Sequence, residues 1–273
     1  MTSTEAQPDI LSSRREQLAA VVRRRGFLRV RDAADLLGVS EVTIRGDLSA
    51  LETAGELVRV HGGAMPPRTA DDQPVEFPLE RSALLAVDAK ERIGIAAAAL
   101  VESGHSLILD VGSTALAVAT ALARRDDLEG VSVITNGLTI ALALEPAMPR
   151  ITVVLTGGTL RPLQHSLVNP GASEFLETVH ADLAFIGCNG VDLERGVTNI
   201  NFPEAEIKRR MLASSTRRIL VADAEKLGRT HLGVIGAVTD FDLLITSELA
   251  DPVAVEALTQ AGLDVLLASS GQR

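Results

Sequence analysis

Six times between residues 107 and 245 a short, nearly continuous apolar run ends in a polar turn. Leu107–Leu109 leads into Asp110-Val111-Gly112-Ser113-Thr114, and Val131–Ile134 into Thr135-Asn136-Gly137. Ile151–Leu155 precedes Thr156-Gly157-Gly158, and Leu183–Ile186 precedes Gly187-Cys188-Asn189-Gly190. Ile219–Ala222 ends at Asp223 and Leu243–Ile245 at Thr246. A strand that is apolar along its length has both faces covered, so runs of this kind among Ala- and Leu-rich helices predict a mostly parallel α/β sheet. The repetition is one of architecture, with no fixed sequence period.

That pattern leaves the first 80 residues unaccounted for, and 273 residues exceed one ordinary domain. Residues 1–12 read as an unstructured tail and 13–65 as a small helical domain. Pro66, Pro67 and Pro74 mark a linker over 66–80, and residues 81–273 form the α/β body, opening with a helix from Arg81 to Val101. Charge divides the same way: the net −10 belongs to the body, since residues 14–65 hold nine Arg against seven acids. A mildly basic head on an acidic body suits a small DNA-reading module. Arg14, Arg15, Arg23, Arg24 and Arg25 fit either a solvated helix face or phosphate contact.

Within the head, Ser13-Arg14-Arg15-Glu16 fits a capping box opening a helix that Gly26 stops. A second helix spans Arg31 to Leu37 and ends at Gly38; Ser40 caps a third, running to about Ala54. Ile44, Leu48 and Leu51 fall on one face of that third helix, which turns Val42, Arg45, Gly46 and Ser49 outward. Leu57 to Gly63 reads as a strand and tight turn suited to a wing. Such a helix fits a major groove: Arg45 pairs with guanine, Val42 meets a thymine methyl, and the helix amino end, with Ser40 and Thr43, approaches phosphate. Ser49, Arg59 and His61 complete the expected DNA-contacting set.

Val39-Ser40-Glu41-Val42-Thr43-Ile44-Arg45-Gly46-Asp47-Leu48, followed by Leu51-Glu52, Gly55 and Arg59-Val60-His61-Gly62-Gly63-Ala64, resembles the signature of the DeoR family of bacterial regulators. The resemblance runs to about residue 248. It implies an N-terminal winged helix-turn-helix joined to an α/β sensor domain similar to ribose-5-phosphate isomerase and CoA transferases. It further implies operator DNA and a phosphorylated sugar or related metabolite as partners, with a dimer or tetramer as the assembly. Four positions depart from the family pattern. Gly46 replaces a second basic residue, Arg29 a capping Ser or Thr, Glu225 a Ser, and Asn169 a Gly beside Pro170.

Ligands of open parallel sheets bind beyond the carboxyl ends of the strands. The effector set is therefore expected at Asp110, Gly112, Ser113, Thr114, Thr135, Asn136, Gly157, Gly158, Asn189 and Gly190, with Lys208, Asp223 and Lys226. Ser113 and Thr114 open a helix, whose amino end favours an anion. Lys208 and Lys226 are two of only three lysines, and Asp223-Ala224-Glu225-Lys226 matches the family's Asp-x-x-Lys element. Isomerisation through an enediol needs a general base near the sugar carbon. The turn from Gly187 to Asp192, acidic in isomerase relatives, keeps only Asp192. Binding without turnover is expected, and a phosphosugar isomerase or transferase with a DNA-binding head is the alternative. Glu204 and Glu206 read as the acidic first turn of a helix. Cys188 reads as a buried thiol, and the histidines lack metal-ligand spacing, so no metal, cofactor or catalytic residue is expected. With no membrane-length apolar run and no signal-peptide pattern, the expected location is the cytoplasm.

Overall fold

The computed structural model of the chain describes residues 7–25, 27–60, 62–67 and 76–269. Two compact units divide it, residues 1–73 and 74–273. The helix stop at Gly26, the DNA contact of His61 and most of the linker fall outside the described residues.

The first unit contains α1 (Gln7–Arg25), β1 (Leu28–Arg29), α2 (Val30–Leu37), α3 (Glu41–Thr53), β2 (Val58–Val60) and β3 (Gly63–Met65). The start of α1 lies inside the stretch expected to be a tail, so Ser13 and Glu16 stand within the helix and not at its cap. Pro8 suits that first turn, where a missing N–H is an orphan in any case. Leu18, Val22, Ile44, Leu48 and Leu57 form the buried centre. Gly38, with φ +66, ends α2 in the left-handed conformation that the sequence anticipated. The strands order as β1-β3-β2, all antiparallel, so β2 and β3 are the expected wing.

The second unit opens with α4 (Leu79–Ala83) and α5 (Val87–Ala98), where one unbroken helix was expected. The break lies at Ala86, whose φ is +49. Lys90 stabilises it, donating from Nζ to Ser82 O at 2.7 Å and Leu85 O at 2.8 Å, carbonyls at the end of α4 and in the turn that follows it. Then follow β4 (Ser106–Leu109), α6 (Ser113–Ala123), β5 (Val131–Thr135), α7 (Leu138–Leu144) and β6 (Ile151–Leu155). A hairpin of β7 (Thr159–Arg161) and β8 (Ser166–Val168) precedes α8 (Gly171–Leu176) and β9 (Ala181–Gly187). The remaining elements are β10 (Gly190–Asp192), β11 (Gly196–Asn199), α9 (Phe202–Ala213), β12 (Ser215–Val221) and β13 (Gly233–Gly236). They end with β14 (Leu243–Ser247), α10 (Pro252–Gln260) and β15 (Asp264–Ala268).

Seven strands make one parallel sheet in the order β15-β14-β12-β9-β4-β5-β6. Alternate residues feed opposite cores. Leu107, Leu109, Val133, Phe185 and Ile245 pack on one face; Ile108, Ile134, Ala184, Ile186 and Leu244 pack on the other. The chain runs from β4 outward through β5 and β6, then returns to β9 and runs the other way. The order reverses between β4 and β9, and such reversals open a crevice at the strands' carboxyl ends. Among the described residues no helix is long and apolar enough to cross a membrane.

Candidate functional site

Two regions concentrate the expected residues. On the head, Ser40 caps α3 as anticipated: its Oγ accepts from Thr43 N at 3.2 Å and lies 2.9 Å from Thr43 Oγ1. Ile44, Leu48 and Leu51 are buried, leaving Val42, Arg45, Gly46 and Ser49 exposed. Val42 is 75% exposed, an apolar side chain with no core to join. Arg45 is not idle: its Nη2 donates to Glu41 Oε2 at 2.7 Å. An exposed pair one helical turn apart is worth about 0.3–0.5 kcal/mol, so a better acceptor displaces it readily. Nothing lies within 4 Å of a Cβ built on Gly46, so the absent basic side chain leaves open space. Arg59, on β2, donates its N–H to Glu52 Oε1 at 3.0 Å and holds its guanidinium 3.9 Å from the same carboxylate.

The arginines at the start of the head divide by partner. Arg14 Nε and Arg15 Nε donate to Asp47 at 2.6 and 3.0 Å, tying α1 to α3. Burial pushes the Asp47 carboxyl up, and these two guanidinium groups outweigh it, holding the group below the usual carboxylate range. They serve the fold; Arg23 lies 3.8 Å from Glu56.

In the body, Asp110 and Gly187 end the two strands that flank the reversal, and Lys208 of α9 joins them. Lys208 Nζ donates to Asp110 Oδ2 at 2.5 Å and to Gly187 O at 3.0 Å, while Gly187 N donates to the same Oδ2 at 2.9 Å. Both side chains are almost wholly buried. Loss of water disfavours charge on Lys208, but the Asp110 carboxylate beside it prevails and holds the ammonium above its ordinary range. Two of its three N–H donors are thus committed inside the protein, which leaves one. Asn189 and Gly190 are similarly occupied. Asn189 Oδ1 accepts from Ile200 N at 2.9 Å, and a Cβ on Gly190 would fall 2.3 Å from Arg229 O.

The amino end of α6 is open by contrast. Gly112, with φ +107, turns the chain from β4 into the helix and supplies no side-chain cap, and Ser113 and Thr114 are half-exposed. The first amides of a helix have no partner within it, so this end presents N–H groups. Asn136, at the end of β5, donates from Nδ2 to Leu167 O at 3.1 Å, which leaves its buried Oδ1 without a partner. Thr246, at the end of β14, likewise has a buried, unpartnered Oγ1. Buried acceptors seldom stay unpaired, so these atoms mark a place for water or ligand. Thr135 Oγ1 instead accepts from Gly137 N at 3.0 Å, and Gly157 and Gly158 form an exposed turn.

At the end of β12, Asp223 accepts from Glu225 N at 3.1 Å and lies 3.8 Å from Lys90 Nζ. Burial lowers Lys90 to about 8. Lys226 is half-buried, and among the described residues no carboxylate pairs with it. The sequence reading passed over Lys90, Thr246 and Arg161; all three lysines of the chain meet acids or ends of this one sheet edge, a signal that lysine scarcity alone offered. Glu204 stands in the first turn of α9 as expected, and it is buried there, accepting from Arg161 Nη1 at 2.7 Å and Ser166 Oγ at 2.6 Å. Cys188 is half-buried, less enclosed than expected, and desolvation pushes its thiol up to about 12, which disfavours the thiolate. Asp192, the turn's remaining acid, accepts from Glu194 N and Arg195 N in a local turn. Among the described residues no cluster of three His, Cys, Asp or Glu could hold a metal ion.

Residues 14–69 match the DeoR-like helix-turn-helix domain, and residues 85–248 match the DeoR C-terminal sensor domain. A protein of Escherichia coli O157:H7, provisionally named an aga operon transcriptional repressor, is 36% identical over 94% of this chain and 93% of its own. The HTH-type transcriptional regulator GolR of Listeria innocua is 32% identical, covering 93% of this chain and 98% of its own. The glycerol-3-phosphate regulon repressor of Escherichia coli K12 is 27% identical over 89% and 93%. Ribose 5-phosphate isomerase A of Methanocaldococcus jannaschii matches at a TM-score of 0.39 and 19% identity, covering 52% and 54%, too shallow a likeness to carry an argument.

Proposed function

This chain belongs to the DeoR family and is a DNA-binding transcriptional regulator, and from that premise we propose that it represses carbohydrate or related metabolic genes under control of a phosphorylated sugar. The observation that carries the DNA reading is the exposed Val42–Arg45–Ser49 face of a helix whose opposite face is wholly buried. In this reading Arg45 leaves Glu41 for a guanine edge, Val42 meets a thymine methyl, and Ser40, Thr43, Ser49 and Arg59 lie against the phosphate backbone. A homodimer or tetramer places two such helices on a two-fold operator.

For the effector, the uncapped end of α6 supports a phosphate subsite at Gly112-Ser113-Thr114, with Lys226 as a free ammonium on the same sheet edge. The unpartnered oxygens of Asn136 and Thr246 suit the hydroxyls of a sugar. One relative is named for a glycerol-3-phosphate regulon, which agrees with a phosphorylated metabolite. Lys208 and Asp110 shape the crevice and do not grip the phosphate. Binding proceeds without turnover: Asp192 serves its own turn, and Asn189 and Gly190 supply no general base.

Thermal-shift screening of pentose, hexose and triose phosphates tests the proposal. A hit stabilises the wild-type chain, loses that effect in Ser113→Pro and Lys226→Met, and is recovered chemically unchanged. A panel without any hit, or conversion of the hit, contradicts it.

A further inference from the structure

The β7–β8 hairpin leaves the end of β6 through Gly157-Gly158 and is held from two sides. On the sheet side, Asn136 O accepts from Leu167 N at 2.7 Å, Asn136 Nδ2 donates to Leu167 O, and Leu138 N donates to His165 O at 3.0 Å. The other side grips residues 76–80, the first described residues of the second unit. Leu79 N donates to Leu163 O at 3.0 Å, and Gln164 Nε2 donates to Phe77 O at 2.6 Å. His165 Nε2 lies 3.3 Å from Glu80, and Arg161 forks the Glu76 carboxylate through both Nη atoms.

Arg161 does more than staple a loop. Its Nη1 also donates to Glu204, which takes Ser166 Oγ at the same oxygen. Glu204 stands one helical turn before Lys208 on α9, and Lys208 holds Asp110 and Gly187 at the strand reversal. Two routes from the strand ends therefore meet at one guanidinium: β5 through Asn136 and Leu167, and β4 with β9 through Lys208, α9 and Glu204. The side chains of Glu76, Arg161 and Glu204 are 10%, 16% and 4% exposed, so this is an interior network and not a screened surface pair. Formally it sets three carboxylates, Glu76, Glu204 and Asp110, against two cations. A phosphate at the neighbouring end of α6 adds to that surplus of negative charge, and drawing Lys208 or Arg161 away from its carboxylates relieves it.

We infer that Arg161 is a positioning residue that locks residues 76–80 to the β7–β8 hairpin, and that an occupant of the strand-end crevice changes DNA affinity by loosening this lock. The inference rests on the effector reading above. A ligand can shift DNA affinity only through an element whose two states it distinguishes, and the lock supplies such an element. Nothing in it requires Arg161 to touch the ligand.

The test uses the full chain without ligand. Glu76→Gln severs the fork while sparing Glu204, Ser166 and Lys208, and Gln164→Glu breaks the grip at a separate point by replacing the donor to Phe77 O. Hydrogen exchange at the Leu79 amide should quicken by about tenfold in both variants, with the sheet amides unchanged. Affinity for a selected operator duplex should change in both by about threefold or more. Affinity within threefold of wild type in both, or Leu79 exchange unchanged in both, overturns the inference. Inorganic phosphate and hexose 6-phosphates serve as probes. A probe that shifts wild-type operator affinity should bind Glu76→Gln at least as tightly while losing most of that shift; a full-size shift overturns the lock. If no probe acts on the wild type, the effector reading fails, and the unliganded variants still decide the lock.

Discussion

Lys208→Met removes the ammonium from the strand reversal while keeping much of its side chain's bulk. Asp110 then keeps the Gly187 N–H and loses its one charged partner among the described residues, with no water to replace it, because its side chain is fully buried. Breaking a buried pair from one side costs about 3–5 kcal/mol. Protonation sets a ceiling: neutralising a carboxyl of ordinary value near 3.9 at pH 7 costs about 4 kcal/mol. The variant should therefore lose about 3–4 kcal/mol at pH 7, a fall of about 6–16 °C in Tm for a unit of this size. The sign of the pH effect follows. Stranded Asp110 has a folded pKa raised above its unfolded value, so the loss shrinks as pH falls, by about 1.4 kcal/mol per unit toward pH 5. Adding Asp110→Asn removes the stranded charge, and the double variant should recover to within about 1 kcal/mol of wild type. The chain has no Trp or Tyr, so calorimetry or circular dichroism is the assay. The reasoning is refuted if Lys208→Met costs under about 1 kcal/mol, if its cost is the same at pH 5 and 7, or if the double variant loses the sum of the singles.

On the head, Asp47→Ala should cost about 2 kcal/mol, less than the ~3–5 kcal/mol of a pair buried on both sides because Arg14 and Arg15 can turn to water, and amide exchange at Leu48 in the full chain reads it. Since the folded Asp47 pKa is depressed, its contribution is present above the unfolded value and fades as pH falls through the folded one. Arg45→Ala should weaken operator binding by about 1–3 kcal/mol, and Glu41→Ala should change it by no more than about 0.5 kcal/mol; filter binding or anisotropy separates the two. With Lys90 lowered to about 8 from 10.5, the unfolded chain binds more protons between those values, so wild-type stability should rise with pH across that window and Lys90→Met should flatten the rise in urea titrations.

What could be read from the sequence was whatever depends on local pattern. Doubly covered strands are apolar throughout, so all six runs became strands of the parallel sheet, and the Gly38 stop and Ser40 cap fell where local chemistry put them. Partners distant in the chain were not legible. Asp110 and Lys208 lie 98 positions apart, and Arg14 and Asp47 lie 33 apart, so each looked like a free charge until the fold joined it to its opposite. For the same reason the sequence showed neither the Lys208–Asp110 pair nor the Glu204–Arg161 pair. The break between α4 and α5 escaped because Ala86 carries no turn signal, and the Lys90 bonds that brace the turn reach back from the next helix. The start of α1 was missed because Ser13 and Glu16 imitate a cap in mid-helix.

The central claim is that one chain reads DNA with α3 and is governed at the carboxyl edge of its sheet. The most direct measurement selects an operator duplex from genomic fragments with the full chain, then titrates that duplex with and without the sugar phosphate that most stabilises the protein. The account predicts saturable binding that Arg45→Ala weakens, and a shift in operator affinity of about fivefold or more with ligand, lost in Lys226→Met. An operator affinity that no phosphorylated sugar moves, although one binds the body, would contradict it.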